Sequence, residues 1–353
     1  MTTTLLPGIV RHDIRTPRLT ASVLERPATV ANRTVVFIHG NVSSSSFWQP
    51  SMLALSPDVR AIAIDLRGFG DSEILPVNAT RGLRDFSDDV ASVLAELGIE
   101  RANFVGWSLG GGVVLQLLLE HPEKVLSVSL ISPVSPYGFG GTQGAEGHLI
   151  NADASGTGGG GANPDFVARL LAQDTSDESP TSPRSVYRST YVADAAHGSE
   201  NEDLWVESML STATGIDNYP GDSTTTDSWP GFAPGTRGVL NTLAPKYFDV
   251  SGIVELTVKP AILWVRGAND AIVSDASFFD LNYLGQLGMI PGWPGIDVAP
   301  PQPMIQQTRD VFEKYQDAGG SYQEIVFENC GHSAHLERPA EFLEALQKVL
   351  VVS

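Results

Sequence analysis

Cysteine is nearly absent from this chain. Cys330 stands alone among 353 residues, so no intrachain disulfide can form and nothing points to an oxidising compartment. Basic residues are scarce as well. Lys and Arg number 22 against 41 Asp and Glu, a formal charge of −19. A surface field of that sign repels phosphate, so neither a nucleic acid nor an anionic membrane is expected as a partner. Long hydrophobic runs are missing: none approaches the ~18 apolar residues of a membrane span. The opening Met1-Thr2-Thr3-Thr4-Leu5-Leu6-Pro7 has no basic region followed by a long apolar one. No signal peptide is expected, and a cytoplasmic protein is. The longest glycine run, Gly156-Thr157-Gly158-Gly159-Gly160-Gly161, lacks the Lys-Ser/Thr that would follow and the strand that would precede a phosphate loop. It reads as a mobile connection. There is no internal repeat.

What the chain does have is enough apolar residue, 42%, for a sizeable core. Thr34–Ile38, Val59–Ile64, Ala102–Val105, Leu126–Ile131, Pro260–Val265 and Tyr322–Phe327 read as strands, most of them continuous runs suited to burial on both faces. Between them lie helical stretches: Phe47–Leu55, Asp85–Leu97, Val113–Glu120, Met304–Tyr315 and Pro339–Val351. Strand and helix in alternation imply an α/β fold, a doubly wound and mostly parallel sheet covered on both faces. Residues 8–27 add two weak alternating stretches that fit an antiparallel edge hairpin. The texture changes over 133–250, where glycine-rich pieces alternate with short helices, Pro164–Ala172 and Asn201–Leu210. That region is expected to be an inserted cap, with 1–132 and 251–353 as the core. Most of its aromatics, Tyr137, Phe166, Tyr191, Trp205, Tyr219, Trp229 and Phe232, are expected to form the cap's own core. A further insertion, 276–303, carries Phe278, Phe279, Tyr283 and Trp293.

The stretch Gly106-Trp107-Ser108-Leu109-Gly110 joins a strand to a helix. A turn that sharp strains its central residue, and a Cβ at either glycine would crowd the neighbouring backbone. The Ser108 hydroxyl is thereby held out at the helix N-terminus, where free N–H groups favour developing negative charge. The alternative is a tight turn with an idle serine. A serine nucleophile needs a histidine base, and the base needs a carboxylate. In a parallel sheet, groups just after different strands converge on one edge. His12, His121, His148 and His197 follow no sheet strand. His39 does, but a His-Gly there shapes the loop. His332 and His335 remain, with His332 nearer its strand. Asp270 competes with Asp275 on the same ground. An oxyanion needs two N–H donors. Leu109 offers one, and Asn41, in the loop after the Thr34–Ile38 strand, is the natural second. Cys330 reads as a small buried apolar residue.

These residues fall in His39-Gly40-Asn41, Asp65-x-Arg67-Gly68-x-Gly70-x-Ser72, Gly106-Trp107-Ser108-Leu109-Gly110-Gly111, Gly267-x-x-Asp270 and Gly331-His332. With them the chain resembles the α/β-hydrolase superfamily over nearly its whole length. The resemblance implies a triad of Ser108, His332 and Asp270, an oxyanion hole of Asn41 and Leu109, and no metal or organic cofactor. Relatives that are dehalogenases or epoxide hydrolases carry Asp at the nucleophile position, which Ser108 does not match. The pairing of His-Gly-Asn-x-Ser-Ser with Gly-Trp-Ser-Leu-Gly-Gly is similar to some acyl-homoserine lactonases. The chain departs from compact members in its large cap and in the long stretch between Asp270 and His332. The expected activity is hydrolysis of a small hydrophobic ester or lactone. Its rivals are carbon–carbon bond hydrolysis of a β-diketone or dienone, perhydrolysis, and a ligand receptor on a hydrolase scaffold. Trp107, Phe278, Phe279, Tyr283 and Trp293 are expected to wall an apolar substrate pocket, or else to pack on the cap or on a second copy in a homodimer.

Overall fold

The computed structural model describes residues 3–28, 32–194 and 199–351. His197 lies outside them, as do Met1 and Thr2. The core is one eight-stranded sheet built from β1 (Val10–Arg15), β2 (Thr20–Arg26), β3 (Arg33–Ile38), β4 (Val59–Ile64), β5 (Ala102–Trp107), β6 (Val125–Ile131), β7 (Ala261–Gly267) and β8 (Tyr322–Phe327). Their spatial order is β1-β2-β4-β3-β5-β6-β7-β8. The β1–β2 hairpin is antiparallel and joins β4 antiparallel; every pair from β4 to β8 is parallel. The central strands are buried at all but one residue each of β3 and β6, and throughout β5, because both their faces carry apolar side chains and both are covered.

The helices are α1 (Gln49–Ala54), α2 (Arg84–Glu96), α3 (Leu109–Glu120), α4 (Pro164–Leu171), α5 (Pro183–Val186), α6 (Glu202–Leu210), α7 (Leu281–Gln286), α8 (Met304–Asp317), α9 (Ala334–Glu337) and α10 (Pro339–Val349). α2, α4, α6, α8 and α10 lie within two residues of the sequence expectation, whereas the short α5, α7 and α9 were not expected. α3 differs: it starts at Leu109, directly after Ser108, and is buried through Leu118. The expected Phe47–Leu55 helix is broken into a 3-10 turn, Ser45–Trp48, and α1, because Pro50 in the first turn of α1 cannot donate a helical hydrogen bond.

The chain leaves β3 to form β4 on one side and returns to form β5 on the other. That reversal opens a crevice at the strand carboxyl ends between β3 and β5. The region between β6 and β7 is inserted over this edge and contains α4, α5, a π-helical turn at Tyr187–Tyr191, α6 and several strands of two or three residues. Trp205 of α6 stacks on Phe47 at 4.8 Å, and Glu202 takes hydrogen bonds from Arg188 at 2.8 and 2.9 Å, so the insert is tied both to the core and to itself.

The glycine run at 156–161 is not a slack connection. The Gly159 N–H donates to Asn241 Oδ1 at 2.9 Å, and a Cβ on Gly160 would stand 2.4 Å from the Phe232 ring. These glycines permit close packing against 221–241, a demand set by distant residues that the local sequence does not display.

Candidate active site

Ser108 sits at φ 57°, ψ −121°, a conformation costly for any residue with a side chain. The turn is enforced from both sides. A Cβ on Gly106 would lie 2.5 Å from the Gly110 carbonyl oxygen, and one on Gly110 would lie 2.3 Å from that of His39. The Ser108 N–H donates to Ile131 O at 2.9 Å, so the strained turn is held to the end of β6. Ser108 is half-buried and opens onto a cavity of about 600 Å³. Leu109, first residue of α3, has by position one of the helix's free N–H groups.

His332 follows β8 and is buried, with its side chain 2% exposed. Its Nδ1 lies 2.9 and 3.1 Å from the two carboxylate oxygens of Asp270. Asp270 follows β7, is equally buried, and is held by N–H donation from Ile272 at 2.8 Å and Val273 at 3.0 Å. With Nδ1 engaged by the carboxylate, Nε2 is the ring nitrogen left for a hydroxyl. His332 lines the same cavity as Ser108, Asn41 and Leu109. The competing residues are occupied otherwise. Asp275 accepts the Ile305 N–H at 2.7 Å and caps α8. His335 is buried between Trp48 at 4.5 Å and Trp107 at 5.0 Å, and neither ring nitrogen has a hydrogen-bond partner. Burial, reinforced by nearby His332, pushes its pKa down to about 3.

His39 is a structural part of the β3 loop. Its Nδ1 is 2.8 Å from its neighbour's carbonyl, Gly40 O, and its Nε2 accepts the Leu66 N–H at 3.0 Å, which fixes the tautomer. Burial lowers its pKa to about 4. The Asp65–Ser72 motif is structural too: buried Asp65 accepts the Ser45 N–H at 2.7 Å, and Arg67 forks onto Asp89 at 2.6 and 2.7 Å. Burial pushes the Cys330 thiol up to about 12, which keeps it unreactive at neutral pH.

The aromatics expected around the pocket divide. Trp107, Phe278 and Phe279 line the cavity. Trp107 is 1% exposed, and its indole N–H donates to the His332 carbonyl at 3.0 Å, so it also braces the histidine loop. Phe278 and Phe279 are 52% and 44% exposed and form the mouth. Tyr283 and Trp293 are not part of the wall. Tyr283 packs edge-on against Phe278, and Trp293 folds over Gly285 and donates to Ala299 O at 3.0 Å. The 276–303 segment holds itself together through these rings and through buried Asp280, which accepts N–H groups from Asn282 and Gln302 near its two ends.

Two neighbours of the site escaped sequence reasoning. Tyr191 lines the cavity from the insert. Glu337, in α9, accepts the Gly331 N–H at 2.6 Å and the Ala193 N–H at 2.8 Å, linking the histidine loop to the insert. Neither stands at a strand end, the one signal that singled out the others.

Residues 35–345 match the model of the alpha/beta hydrolase family. Carboxylesterase YbfK of Bacillus subtilis is 34% identical over 104 residues, 30% of this chain and 35% of that protein. The acetyltransferase component of the acetoin cleaving system of Cupriavidus necator is 42% identical over 107 residues, 30% of this chain and 27% of that protein. The matches thus span only a quarter to about a third of these curated relatives. Among solved structures, a serine hydrolase of Cycloclasticus zankles superposes with a TM-score of 0.57 at 18% identity, covering 96% of this chain and 97% of that one. The 2-hydroxy-6-oxo-6-phenylhexa-2,4-dienoate hydrolase of Rhodococcus sp. strain RHA1 gives 0.58 at 20%, covering 96% and 98%. At these identities the likeness is one of fold.

Proposed function

The chain belongs to the alpha/beta hydrolase family, and from that premise we propose that it cleaves uncharged carboxylic esters or lactones with a hydrophobic part, through Ser108. The observation that carries this reading is the strained Ser108 turn opening onto the same cavity as a histidine whose Nδ1 is held by a buried carboxylate. In the proposed cycle Ser108 Oγ attacks the ester carbonyl while His332 Nε2 takes its proton. Asp270 keeps the proton on Nδ1 and stabilises the imidazolium. The oxyanion rests on the Leu109 and Asn41 N–H groups. His332 returns the proton to the departing alcohol, leaving an acyl-enzyme. Water, deprotonated by the same nitrogen, then releases the acid. For a lactone the alcohol and acid stay on one molecule.

The cavity favours esters over the carboxylate-bearing dienoates that a structurally similar hydrolase is named for. No lysine or arginine lines it among the described residues, and its one lining carboxylate is Asp280. An anionic group would enter with no partner, and burying an unpaired charge costs several kcal/mol. We propose that the cap, 133–250, and the 276–303 segment together form the walls beside Trp107.

The test is a panel of neutral aryl esters, lactones and β-diketones assayed with wild type and Ser108→Ala. Ester or lactone turnover that falls at least ~10³-fold in the variant supports the reading, the scale for loss of a triad nucleophile. Turnover of diketones alone, or ester turnover that survives the substitution, contradicts it.

A further inference from the structure

One short stretch of the insert, Tyr191-Val192-Ala193, lies against both loops that flank the cavity. It leaves the π-helical turn at Tyr187–Tyr191 and becomes extended at Val192, φ −127°, ψ 148°. On one side the Tyr191 hydroxyl reaches two main-chain carbonyls of the β3 loop, Asn41 O at 3.0 Å and Val42 O at 3.1 Å. On the other side the stretch lies so close to Gly331 that a Cβ there would stand 2.6 Å from Ala193 N. Tyr191 is buried, and its ring packs near Trp107 at 5.6 Å and His332 at 6.3 Å.

Val42 needs that support. It sits at φ 45°, a left-handed conformation that is an outlier for a β-branched residue. Such a conformation persists only where its surroundings over-determine it. The peptide preceding Val42 carries the Asn41 carbonyl that Tyr191 holds, and Asn41 is the residue whose own N–H is the proposed second oxyanion donor.

We propose that Tyr191 is a positioning residue: its hydroxyl holds the Asn41–Val42 turn in its strained form and so aims the Asn41 N–H at the oxyanion. The inference rests on the ester-hydrolase reading above and deepens it. It makes the insert a part of the catalytic machinery as well as a wall, because the hydroxyl's two acceptors belong to the core and its own chain belongs to the insert.

The same turn supplies the control. Tyr187 is fully buried, stands 6.2 Å ring to ring from Tyr191, and its hydroxyl has no hydrogen-bond partner. It does not line the cavity. Tyr191→Phe and Tyr187→Phe therefore each remove one buried hydroxyl from one structural unit and leave the ring in place, and only the first touches the Asn41–Val42 loop.

With a neutral aryl ester as substrate, Tyr191→Phe should lower kcat about 10- to 30-fold and leave KM within threefold. That is less than the 10²- to 10³-fold typical of deleting an oxyanion donor outright. Affinity for a tetrahedral mimic, an alkyl boronic acid, should fall by a similar factor. Tyr187→Phe should change neither. In a Val42→Gly background, where glycine adopts φ 45° without strain, the loss caused by Tyr191→Phe should shrink at least threefold. Equal kcat values for Tyr191→Phe and wild type overturn the inference, as does an undiminished loss in the Val42→Gly background. So does a fall in thermal stability with the kinetics of the folded fraction unchanged. Lack of wild-type turnover on every neutral ester counts against the ester-hydrolase reading instead, and the two failures are thereby distinguished.

Discussion

His332 and His335 are both buried, yet only one is equipped to carry charge. His332 has a carboxylate at 2.9 Å to stabilise an imidazolium, whereas the His335 ring nitrogens meet no partner. We expect His332→Ala to lower kcat as severely as Ser108→Ala, at least ~10³-fold, and His335→Ala to be much milder. A larger loss in His335→Ala, with the fold intact by circular dichroism, would reverse the assignment. The buried neutral histidines also set a pH dependence. His335 and His39 have folded pKa values of about 3 and about 4, both below the ordinary 6.5. The unfolded chain therefore binds these protons more readily. The stability they confer is whole above pH 6.5 and is lost as pH falls through that value toward 4 and 3, on the order of a few kcal/mol each. Asp65, whose carboxyl is pushed up by burial, works in the opposite sense. His335→Phe keeps a ring between Trp48 and Trp107 and removes one of these protonation sites. Its melting temperature should exceed that of wild type by more at pH 5 than at pH 8, and an unchanged difference across that range would show that His335 does not titrate on unfolding. The sequence separated His332 from His335 and Asp270 from Asp275 by distance from a strand end, and both preferred residues meet in one hydrogen-bonded pair. Tyr191 was not legible in this way, because its acceptors at Asn41 and Val42 lie 150 and 149 residues away.

The elements of the sheet were readable because a strand buried on both faces must be a short, continuous, β-branched run, and Thr34–Ile38 or Leu126–Ile131 can be little else. The insert was not. Its strands are two or three residues long, too short for any periodicity, and its glycines answer to contacts such as Phe232 against Gly160. The 276–303 segment shows the same limit. Its four aromatics were expected to wall the pocket or else to pack on the cap or a second copy; two face the cavity and two hold the segment's own shape. Gln302 at its far end accepts the Gly140 N–H at 2.5 Å, donates to Gly138 O at 3.1 Å and so docks the segment on the insert. Removing the whole segment would remove that anchor, so the sharper change is at the mouth. Replacing Phe278 and Phe279 together by Ser, at half-exposed positions, should raise KM for bulky esters several-fold and leave acetate esters within twofold. Equal changes for both substrates would assign the pair to scaffold support alone.

At the scale of the whole molecule, one topological reversal gathers the site. β3 and β5 are neighbours in the sheet but not in sequence, and the loops after them bring Asn41 and Ser108 together, while β7 and β8 deliver Asp270 and His332 to the same edge. Charge acts on the same scale. A chain of net charge −19 surrounds a cavity with no lining lysine or arginine among the described residues. A neutral aryl ester should therefore exceed its ω-carboxylate analogue of equal length by about 100-fold in kcat/KM, the equivalent of roughly 3 kcal/mol for an unpaired charge. Equal values would mean that the charged end stays in solvent. No helix among the described residues is long and apolar enough to cross a membrane.

Covalent labelling reads directly whether Ser108 is a nucleophile activated by His332. Wild type, Ser108→Ala and His332→Ala would each be treated with an alkyl fluorophosphonate and the adduct mapped by mass spectrometry. One adduct is expected on wild type, at Ser108, none on Ser108→Ala, and labelling of His332→Ala slowed by at least ~10²-fold. An adduct on Ser43–Ser46, or wild-type labelling no faster than that of His332→Ala, would contradict the assignment of Ser108 and His332.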